Sequence, residues 1–285
     1  MGVKGMPFCP CCKTPVIHSP SATRAALREC AQADDLVMRS WCADGLYHGT
    51  FDNTDYLYKD ENPFMACNGL LTGHCFNQFF NVGFFTNTTS RGIAYSRPYV
   101  EMTFMRLAKH SGHLTSLCLP EHPYMHVSER TPQQMSQACI WGMTAKLFPI
   151  FHLMMKVYGF VEECQVCGLV LSANDLITPY NKFLCPLLLD GMTPDMYGAQ
   201  HSHLYTWCNL FASSAQTFEG KESRWIACLH GAFHWLPPSM HDETPCDRDI
   251  HNVSERVGRV CELWRQPGRP FAHESYGIAI SVDVM

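Results

Sequence analysis

Apolar residues recur at steps of four and three from Ala26 onward, and Ala26, Cys30, Ala33, Val37 and Trp41 fall on one helical face. Ser19-Pro20 places a capping residue and a proline in front of this run, and Asp44-Gly45 places turn residues behind it. The pattern predicts a helix over 20–42. A second apolar stripe, Val253, Val257, Val260, Cys261 and Trp264, follows Asn252 and Glu255 at capping-box spacing and precedes Pro267-Gly268. It predicts a helix over 253–265. Thr131-Pro132-Gln133-Gln134 is a third helix start, and Gly142 and Pro149 divide the apolar stretch behind it into two short helices.

Alternation predicts strands elsewhere. Val100, Met102 and Phe104 alternate with Glu101 and Thr103 within 99–107, and Ile278, Ile280, Val282 and Val284 alternate with smaller or polar residues within 277–284. Val166 to Leu171 forms a short apolar run, and Arg224 to Trp235 reads as a strand or strand pair broken at Gly231. Helices, turns and strands in this mixture predict a mixed α/β or α+β fold. A chain of 285 residues is compatible with a single globular domain over 1–285, and a division into two lobes near 161–167 is the alternative.

Composition agrees with a packed interior, because 46% of residues are hydrophobic and 16% charged. A net charge of −5, with 21 basic against 26 acidic residues, gives no electrostatic footprint for nucleic acid or an anionic membrane. The apolar stretch from Leu147 to Val161 is interrupted by Pro149, His152 and Lys156 and falls short of the roughly 20 residues of a membrane span. No secretory pattern opens the chain, which predicts a cytoplasmic protein whose 16 cysteines are reduced thiols.

Cys and His occupy 31 of the 285 positions, so about three pairs fall at any fixed short spacing by chance. Within that background, the most chemically suggestive set is His201, His203, His230 and His234. If 201–205 were a strand, His201 and His203 would share a face about 7 Å apart. Two imidazoles and a third from His230 can hold zinc at about 2.0 to 2.1 Å, leaving a position for an activated water. This constellation predicts a zinc-type hydrolase acting on a small-molecule substrate, with His234 as a spare ligand and Asp195 and Glu219 near the set in sequence.

Cys164 and Cys167 have the spacing of a zinc knuckle without a matching pair, with Cys185 and the N-terminal Cys9, Cys11, Cys12 and His18 as distant partners. They suggest the alternative of a non-catalytic binding or scaffold domain with a structural zinc. A further alternative is a diversified sequence with a fold and no selected function, in which Cys and His do not converge. Ala215 to Glu222 contains Gly220-Lys221 but lacks the first glycine and the Ser or Thr of a phosphate loop, so that reading is excluded.

Overall fold

The computed structural model describes residues 20–33, 36–51, 62–85, 114–127, 129–158, 202–234 and 246–265. All regular structure among them is helical. The mixed α/β or α+β expectation is therefore corrected: the described residues contain helices and no strands. The strands expected over 99–107 and 277–284, the run at 166–171 and the boundary near 161–167 lie outside the described residues.

The helices are α1 (Pro20–Ala31), α2 (Leu36–Phe51), α3 (Thr72–Phe85), α4 (Pro132–Tyr158), α5 (His203–Ala212), α6 (Phe218–His234), α7 (Arg248–Val253) and α8 (Glu255–Arg265). Short 3-10 turns cover Pro63–Cys67, Leu114–Cys118 and Pro123–Met125. Helix α4 is the centre of the assembly, with α3 and α6 as its principal neighbours; α2 lies against α3, and α5 and α8 lie against α6.

Capping residues set several of these boundaries. Thr131 Oγ1 accepts from Gln134 N at 3.2 Å while Thr131 N donates to Gln134 Oε1 at 3.0 Å, a reciprocal capping box at the predicted start of α4. Ser202 accepts from Tyr205 N at 3.1 Å and opens α5, and Ser254 accepts from Val257 N at 3.1 Å and opens α8. The strand considered for 201–205 is therefore replaced by a helix from His203 onward.

Two glycines explain other departures from the sequence pattern. A Cβ on Gly142 would lie 2.4 Å from Asn77 N and 2.5 Å from Phe76 Cβ, and one on Gly231 would lie 2.4 Å from the Trp141 carbonyl oxygen. These residues let α3 and α6 approach the backbone of α4 from two sides. Gly142 and Pro149 do not divide the 27-residue α4, and Arg224 to His234 is helix rather than strand. The single helix expected over 20–42 is two: α1 ends at Ala31, and α2 runs through Asp44-Gly45 to Phe51.

Large aromatic side chains fill the interfaces. Phe64 meets Phe76 and Phe79 edge-on at centroid distances of 4.9 and 5.4 Å, and Trp207, Phe211, Trp225 and Phe148 are fully buried. Disulfides join neighbouring elements: Cys30–Cys42, Cys67–Cys75, Cys118–Cys139, Cys208–Cys228 and Cys246–Cys261. The expectation of reduced thiols is corrected for these cysteines. Helical packing brought together pairs that lie 8 to 21 residues apart in sequence.

Candidate functional site

The described histidines of the proposed zinc set go to different neighbours. His203, the first residue of α5, has Nδ1 3.2 Å from His152 Nδ1 of α4. Burial lowers its pKa and the adjacent His152 charge lowers it further, which favours neutral imidazole. His230, in the buried middle of α6, accepts from Trp264 Nε1 of α8 at 3.0 Å through Nδ1. His234 ends α6 against Trp141 and His74, at centroid distances of 4.9 and 6.1 Å. His201 lies outside the described residues, as do Asp195, Cys164, Cys167 and Cys185.

Among the described residues, no group of three or more His, Cys, Asp or Glu side chains could hold a metal ion. Helix α5 begins at His203, so the period-two spacing considered for 201–205 does not apply from that residue on.

Two other arrangements emerge from the packing. The first is a buried polar network at the junction of α2, α3, α4 and α6. Asp44 Oδ1 accepts from Asn77 Nδ2 and Gln78 Nε2 at 3.1 Å each and lies 3.2 Å from His74 Nδ1. Burial alone would raise the Asp44 pKa, but the charge of His74, hydrogen bonds from His74 and Gln78, and the charge of His234 bring it below the ordinary carboxylate value. The carboxylate is therefore held ionised in the interior. Asp44 Oδ2, Asn77 Oδ1 and Trp141 Nε1 are buried without a hydrogen-bond partner among the described residues.

The second is a cleft of about 380 Å³ between the start of α4 and the turn joining α5 to α6. Pro120, Glu121, Gln137, Glu219, Ser223 and Arg224 are among its lining residues. Helix α6 supplies Arg224 from the first turn of a buried run that continues to Phe233, which explains how a cation reaches the floor. Its Nη1 donates to the Phe211 carbonyl oxygen at 3.0 Å and to Ser214 Oγ at 2.8 Å. Gln137 donates to Ser223 Oγ across the α4–α6 interface.

Sequence reasoning missed Arg224 because the strand reading of 224–235 hid its position on a helix. A charged side chain opening an otherwise apolar run was the available signal. Asp44 and His74 carried less: they lie 30 residues apart in sequence and meet only when α2 lies against α3. No family model matches the chain, and neither a curated protein nor a solved structure matches it.

Proposed function

We propose that the chain is a non-catalytic binding domain, a disulfide-braced helical assembly that holds a small polar molecule in the cleft above Arg224. The observation that carries this reading is a guanidinium buried at the floor of a cleft whose volume lies in the roughly 300 to 1,000 Å³ range of small-molecule sites. Polar side chains around it offer donors and acceptors for orienting a guest. The disulfides favour an oxidising compartment over the cytoplasm. No described helix is long and apolar enough to cross a membrane.

A thermal-shift screen of small polar compounds tests the reading, because a ligand that binds only the folded chain raises Tm with concentration. Ala215→Trp, which fills the cleft from its rim, is expected to abolish the shift while preserving the helical circular-dichroism spectrum. Identical shifts in the variant and the wild type would remove the cleft from consideration.

The Asp44–His74 hydrogen bond favours a second, hydrolytic reading. A carboxylate fixed against Nδ1 orients the imidazole, as a base that takes a proton from water requires. Hydrolysis of ester or phosphoester substrates that disappears in His74→Gln, with the fold retained, is the expected result on that reading. Its zinc-dependent form needs His201 or other ligands from outside the described residues, and stoichiometric zinc in the purified protein is its measurement.

A further inference from the structure

The charges around the cleft define what kind of guest it fits. Arg224 has its side chain 8% exposed, whereas Glu121, across from it, is 66% exposed. Nη1 of Arg224 is occupied by Phe211 and Ser214, but Nη2 is 3.6 Å from Glu121 Oε1, outside hydrogen-bond distance. A solvated carboxylate at that separation contributes little and is readily displaced. Glu219, exposed near the start of α6, lines the same cleft. One buried cation and two solvent-facing carboxylates complement a guest bearing one carboxylate and one or two ammonium groups.

We infer that the cleft binds a small zwitterion of the basic α-amino-acid type, whose carboxylate replaces Glu121 at Arg224 Nη2 while its ammonium groups meet Glu121 and Glu219. This rests on the binding reading above and adds the ligand class. The ligand carboxylate gains charge-assisted hydrogen bonds from a guanidinium already held in place, so little rotamer freedom remains to be lost at that contact. Displaced from Nη2, Glu121 becomes available to an ammonium group.

Isothermal titration of the full chain with L-lysine, cadaverine and xylitol tests the assignment. Cadaverine keeps the two amines and lacks the carboxylate; xylitol is uncharged. L-Lysine is expected to bind saturably and cadaverine about tenfold more weakly or less, because the charge-assisted contact to Arg224 is missing. Arg224→Lys should weaken L-lysine binding about tenfold and narrow its advantage over cadaverine. Since Arg224 also holds the α5–α6 turn, Glu219→Gln on the exposed rim gives an independent check and should weaken both amines. Equal binding of cadaverine and L-lysine would overturn the zwitterion assignment and leave a binding cleft standing; so would binding of xylitol alone. Absence of binding by all three probes would overturn the assignment, and a broader screen that also failed would remove the binding reading itself.

Discussion

Asp44 Oδ1 and His74 Nδ1 lie 3.2 Å apart, tying the middle of α2 to the first turn of α3 inside the protein. Asp44 is 8% exposed and His74 is 5% exposed, so neither relies on bulk water for its charge balance. Asp44→Asn is expected to destabilise the fold by about 3 kcal/mol, because it leaves the surrounding donors and His74 without the carboxylate. Urea denaturation at neutral pH measures the loss.

The same carboxylate carries a pH dependence. Its folded pKa is depressed, so its stabilising contribution is complete above the unfolded value of about 3.9 and declines as pH falls through the folded value. Wild-type Tm should therefore drop more steeply below about pH 4 than that of Asp44→Asn. Parallel acid limbs in the two proteins would assign the dependence to other groups.

His203 produces a second dependence at milder pH. Burial and the neighbouring His152 charge both lower its folded pKa, so the contribution is complete above about 6.5 and is lost as pH falls through the folded value. His203→Gln is expected to flatten the stability profile below about pH 6.5. NMR titration of the imidazole resonances measures the shift directly.

The glycine sites on α4 and α6 make a paired prediction. Gly142→Ala and Gly231→Ala each drive a Cβ into fixed backbone atoms at 2.4 Å and should cost about 3 kcal/mol. Gly69→Ala meets only the Tyr47 hydroxyl at 3.9 Å and should fall within about 0.5 kcal/mol of wild type. Chemical denaturation of the three variants separates the cost of close helix approach from the effect of adding a methyl group where space is open.

These glycines also show where sequence periodicity stopped being informative. Thr131-Pro132 marked the start of α4 because capping is a local interaction, and the stripe from Val253 to Trp264 marked α8 because one face is buried, although α8 starts at Glu255 behind a Ser254 cap and Val253 ends α7. Gly142 and Gly231 resembled breaks because their partners lie on other helices. Asp44-Gly45 likewise resembled a stop although α2 continues, with Asp44 held by side chains from α3. Of the zinc set, the sequence located His203, His230 and His234 but not their neighbours His152, Trp264 and Trp141, which come from separate elements. Arg224 was visible as a residue, while its place on the cleft floor depended on the turn between α5 and α6.

Removal of the Cys208–Cys228 link by Cys208→Ser and Cys228→Ser together is expected to lower stability by about 3 kcal/mol. Reductant should lower the wild-type Tm at least as far, since it opens the other described bridges too. Calorimetry with and without reductant checks the comparison.

The order of those bridges along the chain has a biosynthetic consequence. The five pairs neither nest nor cross: each second cysteine precedes the first cysteine of the next pair. As the nascent polypeptide emerges from its N-terminus, each of these thiols therefore meets its native mate before the following pair has been made. Among these ten cysteines, linear order keeps each pair separate from the next, so the closing of each bridge can keep step with synthesis.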